Sequence, residues 1–176
     1  MDKKNIQIGL INVIMGGGFL IMLLMLRSVP SLQDLLFWIA TALWFFHWYW
    51  GLTFVIDNCG ATEDFLELAF DFIIVGTLVS TLFWIDMPRI WFTLNAFTFL
   101  FAIIKYQLIL KTRKLTAKVA KYVKEKLKIE WGALVGLTAA VIVSIMYGPN
   151  LLLAALTIAV HLLSIAYIAY TKLYSV

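Results

Sequence analysis

Five ionisable side chains, His47, Glu67, Asp71, Lys105 and His161, stand inside stretches of this chain that are otherwise almost wholly apolar. A charged group at mid-bilayer costs about 2.5–3.5 kcal/mol on insertion scales, so residues kept in such surroundings face inward and pair, or serve a function. Asn12 and Asn95 accompany them as neutral polar groups. The set suits transport best: Asp71 and Glu67 are cation or proton sites, Lys105 is a counter-charge, and His161, His47 and Asn12 extend a binding or relay path. The alternative is a non-catalytic accessory subunit in which the same groups order helix packing through interhelical hydrogen bonds. Two further chemistries have thinner support. One is bis-histidine haem ligation by His47 and His161. The other is an intramembrane enzyme with Asp71 or His161 as acid or base. No His-Glu-x-x-His, nucleophile elbow or extended acidic metal motif accompanies them, so no catalytic residues, metal ligands or definite cofactor are assigned.

The elements that must position these groups are membrane spans. At 63% hydrophobic and 14% charged, the chain departs from a soluble domain, which is near half apolar and a quarter charged. The surplus is lipid-facing surface. A span needs about 20 largely apolar residues, which marks Ile6–Leu26, Leu35–Ile56, Phe65–Ile85, Ile90–Leu110, Trp131–Tyr147 and Leu151–Tyr170. Breaks at Arg27 to Ser31 around Pro30, Asp57 to Gly60, Ile85 to Arg89 around Pro88, and Gly148-Pro149 use residues that stop helices. The fold expected is all-α: one polytopic transmembrane domain over residues 1–176, a six-transmembrane-helix bundle.

Orientation follows from one basic stretch. Lys111, Arg113, Lys114, Lys118, Lys121, Lys124, Lys126 and Lys128 lie between the fourth and fifth apolar runs, and Lys and Arg gather in cytoplasmic loops. With Lys3, Lys4 and Lys172 this puts eleven basic residues inside, against Arg27 and Arg89 outside. Both termini are then cytoplasmic, in the plasma or inner membrane. Residues 111–130 read as an amphipathic helix lying in the inner headgroup layer, or as a solvated cytoplasmic extension of the fourth span, with Leu115, Val119, Tyr122 or Val123, and Leu127 on one side. Lys114, Lys118, Lys121, Lys124 and Lys128 occupy the remainder and would meet anionic lipid headgroups. The net charge of +4 is therefore a membrane signal, and no nucleic-acid partner is expected. A bundle this small leaves room for a homodimer or larger membrane complex.

Depth and facing sharpen the site. With about 1.5 Å of rise per residue, Glu67, Asp71, Lys105, Asn12, His47 and His161 fall in the cytoplasmic half of the bilayer, and Asn95 in the outer half. At 100° per residue Asp64, Glu67 and Asp71 share a face of the third helix. Asn95, Thr98, Ala102 and Lys105 make a stripe on the fourth, and Ala154, Thr157, His161 and Ser164 one on the sixth. Asn95, Thr98, Thr157 and Ser164 would line the pathway.

Small residues predict two packing features. Gly132, Gly136, Ala140 and Ser144 recur every fourth position, with a similar surface at Ala155 and Ala159, which suggests a close hairpin of the last two helices or, as the alternative, a dimer seam. Gly16-Gly17-Gly18 admits a crossing helix or marks an unwound, ligand-exposed turn.

Overall fold

The computed structural model describes residues 3–25, 31–59, 65–148 and 151–170. Arg27, Pro30, Gly60, Asp64, Pro149 and Lys172 lie outside them, and with them parts of the breaks and the first member of the acidic face expected there. The described residues form six α-helices: α1 (Lys3–Met25), α2 (Leu32–Cys59), α3 (Phe65–Thr81), α4 (Pro88–Thr112), α5 (Ala117–Tyr147) and α6 (Leu151–Tyr170). α3 tightens into a 3-10 turn over Leu82–Trp84 before α4.

Local chemistry sets several of these limits. The Ser31 hydroxyl accepts from the Asp34 backbone N–H at 3.1 Å, satisfying an end donor that the first turn of α2 would otherwise leave open. Pro88 occupies the first turn of α4, where its missing N–H costs nothing. Thr116 caps α5 by accepting from Val119 N–H at 3.3 Å. α5 stops at Gly148, whose φ of 76° lies in the left-handed region that glycine enters freely.

α4 occupies the middle of the bundle, with α5 along one side and α3 along another, while α2 carries α6 and α1. Large rings fill the space between α2 and α4. Phe37 meets Trp91 at 5.3 Å between centroids, Trp44 meets Phe99 at 4.3 Å, and Trp48 meets Phe99 at 5.4 Å. The Trp91 indole N–H donates to the Thr41 hydroxyl at 2.9 Å, so this aromatic core leaves that donor satisfied.

The exterior is equally apolar. Val135, Met146 and Leu163 are each about two-thirds exposed, a surface that lipid covers and water does not tolerate. Five helices, α1 to α5 (α3 together with its 3-10 turn), are long and apolar enough to cross a membrane, and α6 adds a shorter apolar run, Leu151–Tyr167.

Three expectations change. The basic stretch is not a separate surface segment ahead of a span beginning at Trp131. From Ala117 it is helical and runs unbroken to Tyr147 as one 31-residue rod, because no helix breaker stands between the lysines and the apolar run. The last two helices do not close as a tight hairpin. α6 leans on α2 far more than on α5, and a Cβ added at Gly132 or Gly136 would meet nothing within 4 Å. Gly16-Gly17-Gly18 is continuous helix, without an unwound turn. Only Gly18 is closely approached: a Cβ there would lie 2.7 Å from the Phe45 ring, so the packing reading holds at that glycine.

Candidate functional site

Glu67 and Asp71 are one helical turn apart on α3, and both are buried. Lys105, on the facing side of α4, forms an ion pair with Asp71 Oδ1. Gln7 Nε2 of α1 donates to Asp71 Oδ2 at 2.9 Å. Three helices thus meet at one carboxylate, and both of its oxygens are engaged. Above it the same face of α3 continues as buried Ile74, Val75 and Leu78, so the acidic character ends partway across the bundle.

Nearer the α4–α5 connection, Arg113 forks onto Glu67. Its Nε donates to Oε1 at 3.2 Å and its Nη2 pairs with Oε2, while Thr112 Oγ1 donates to Oε1 at 3.3 Å. Arg113 Nη1 also donates to the Cys59 carbonyl at 2.8 Å. The planar guanidinium therefore joins the C-terminal end of α2 to the start of α3, a geometry that a lysine cannot reproduce.

A second cluster lies between α2 and α5. Lys126 Nζ is 2.9 Å from Glu130 Oε1, and both side chains are 0% exposed. Lys126 Nζ also stands 2.6 Å from His47 Nε2 and 5.7 Å from the Trp48 ring centroid. An ammonium only donates, so His47 Nε2 accepts and its proton sits on Nδ1. Glu130 is close to the cation, yet neither of its oxygens has a hydrogen-bond partner. The contact with Lys126 is charge proximity without hydrogen-bond alignment.

His161 on α6 is buried against Trp44, with ring centroids 4.0 Å apart. Its Nδ1 lies 2.7 Å from the Thr157 carbonyl oxygen. A carbonyl only accepts, so Nδ1 carries the proton and Nε2 is left as an acceptor. His47, His161 and Ser164 border one cavity of about 20 Å³, room for a single water and little more. A haem does not fit between the two rings, and His47 Nε2 already accepts from Lys126. Among the described residues no three His, Cys, Asp or Glu side chains come together as a metal site.

The remaining expected residues divide. Asn95 and Thr98 are buried on α4: Asn95 Nδ2 donates to the Trp91 carbonyl at 2.9 Å, and Thr98 Oγ1 donates to Thr77 Oγ1 at 2.9 Å. Thr157 and Ser164 return their hydroxyls to their own helix, at Leu153 and Val160. Asn12 is exposed and borders a groove between α1 and α2 with Gly16 and Tyr49, away from Asp71. The polar α1 residue that reaches the interior, among those described, is Gln7. Lys114, Lys118, Lys121, Lys124 and Lys128 are all exposed.

Gln7, Arg113, Lys126 and Glu130 were not singled out as interior groups by sequence. For Lys126 a signal existed: it lies seven residues after Val119, and Val119, Tyr122, Val123, Lys126 and Glu130 are buried together.

These features define a polytopic helical membrane protein whose interior holds a cluster of buried ion pairs and hydrogen bonds. No family model matches the chain, and neither does any curated protein or solved structure.

Proposed function

We propose that the chain is a six-span transporter of the plasma or inner membrane, moving a small solute or ion with a proton as coupling ion. Both termini and the α4–α5 connection face the cytoplasm on this reading, since Lys114, Lys118, Lys121, Lys124 and Lys128 crowd that end. There they meet anionic headgroups.

The observation that carries the proposal is Glu130. A buried ion pair does little better than a well-packed apolar pair as a stabilising device. A buried carboxylate without a hydrogen bond is costlier still. Glu130 accepts that cost beside Lys126 and His47. Gain of a proton by Glu130 would discharge its pair with Lys126 within α5 and leave the ammonium held to α2 through His47, so one protonation event changes the charge at the α2–α5 contact. The neighbouring water-sized cavity extends this centre towards His161.

A packing role is favoured instead for Asp71, because Lys105 and Gln7 satisfy both of its oxygens. If that role described the whole interior, the protein would be an accessory subunit. Currents recorded from proteoliposomes on a solid-supported membrane after a pH jump separate the two. A transporter gives a charge displacement that Glu130→Gln abolishes and Asp71→Asn preserves. A wild-type current no larger than that of protein-free liposomes, or one that persists in Glu130→Gln, refutes the proposal.

A further inference from the structure

Because α6 leans on α2, a cleft stays open between α5 and α6, with a volume of about 320 Å³. Its α5 wall is built from Ala133, Gly136 and Ala140, and a Cβ at Gly136 would still meet nothing within 4 Å. Val143, Leu156 and Val160 on its rim are exposed, so the opening faces the lipid.

Two polar groups border this apolar space. Trp44 is 3% exposed, and its indole N–H has no hydrogen-bond partner. His161, in contact with Trp44, keeps Nε2 as an acceptor because Nδ1–H is committed to the Thr157 carbonyl. The cleft therefore has an apolar body with one free acceptor, His161 Nε2, on its border, while the Trp44 N–H beside it is closed to water. An apolar body with a polar group to orient the ligand is the composition of a small-molecule site.

We propose that the cleft binds a hydroxyl-bearing apolar molecule, an aliphatic or isoprenoid alcohol entering sideways from the bilayer. A hydroxyl donates to His161 Nε2, the acceptor that the cleft leaves open. An ether, ketone or ester carbonyl accepts only, and a hydrocarbon does neither. At roughly 30 Å³ per water-sized group, the cleft takes about ten heavy atoms. Longer chains extend past the rim into lipid. This site stands independently of the transport reading, since it needs neither Glu130 nor a proton.

The test is photolabelling of the full chain in nanodiscs with a diazirine-bearing derivative of n-decanol, with labelled residues mapped by mass spectrometry. Labels fall on the α5 and α6 walls, and n-decanol displaces them at about one-tenth of the concentration required of decyl methyl ether, the effect of one hydrogen bond. His161→Phe keeps a ring against Trp44 and removes that preference. Gly136→Leu, at a position with room for a Cβ, fills the cleft and abolishes labelling. Equal displacement by alcohol and ether identifies the occupant as any acyl chain and overturns the proposal. So does a preference that survives His161→Phe, or labelling confined to other helices. Should His161→Phe not fold, Gly136→Leu decides by itself. No current is measured, so the result is independent of the outcome for Glu130.

Discussion

Replacing Lys126 with Met removes the cation paired with Glu130 while keeping the length of the side chain. In the native protein both groups are fully buried and 2.9 Å apart, and His47 Nε2 takes its hydrogen bond from the same ammonium. Lys126→Met therefore strands a carboxylate that has no hydrogen bond of its own and leaves an imidazole acceptor unfilled. Breaking a buried pair by removing one partner costs about 3–5 kcal/mol, and the histidine's lost donor adds about 1 kcal/mol. The double variant Lys126→Met/Glu130→Leu removes the stranded charge and so returns to within about 1 kcal/mol of the native protein, as apolar replacements of buried pairs do. SDS titration of the purified protein in mixed micelles, followed by circular dichroism, measures all three. A single variant as stable as the native protein, or a double variant no better than the single, would show that Lys126 and Glu130 are not energetically paired and refute the reasoning.

Other substitutions probe separate contacts. Gly18→Ala drives a methyl group into Phe45, itself buried, and towards Val79 at 3.2 Å, costing about 1–3 kcal/mol in the same titration. Gly16→Ala, with open space around it, gains up to about 1 kcal/mol from helix propensity, and equal effects at the two positions would contradict the packing described. Arg113→Lys keeps the charge but cannot hold both Glu67 oxygens and the Cys59 carbonyl, so stability falls by about 1.5–3 kcal/mol; an unchanged midpoint argues against the fork. Thr98→Val removes the hydrogen bond to Thr77 between α4 and α3 and lowers stability in the same titration by about 0.6 kcal/mol, the average for such bonds in membrane proteins.

Helix periodicity was enough to bring the acidic face of α3 to the interior, and the Asn95-to-Lys105 stripe with it. A charge inside a long apolar run has a single low-cost direction, and Asp71 and Lys105 both take it. His47 and His161 also border one small cavity. The Lys126–Glu130 pair was hidden for the opposite reason. It lies in a charge-rich stretch where either orientation is affordable to the local sequence, and only the docking of α5 along α4 decides which lysine turns inward. Gln7 was obscure likewise, sitting in the second turn of α1 among polar residues. Asn12 shows the converse: a polar group in an apolar run that the bundle leaves on its outer face. The expected α5–α6 hairpin failed because small residues permit close approach without requiring it. Trp44 and His161, bulky groups at the α2–α6 contact, hold α6 elsewhere.

The uninterrupted α5 has one more consequence. Thirty-one residues make a shaft about 46 Å long, and the hydrocarbon layer is only about 30 Å thick. Three turns or so of lysine-studded helix must therefore project past the lipid tails. Because a helix transmits tilt along its whole axis, anything that grips this protruding tip displaces Glu130 and the wall carrying Gly136 in the same stroke. The lysine-rich end and the buried Lys126–Glu130 pair belong to one continuous helix.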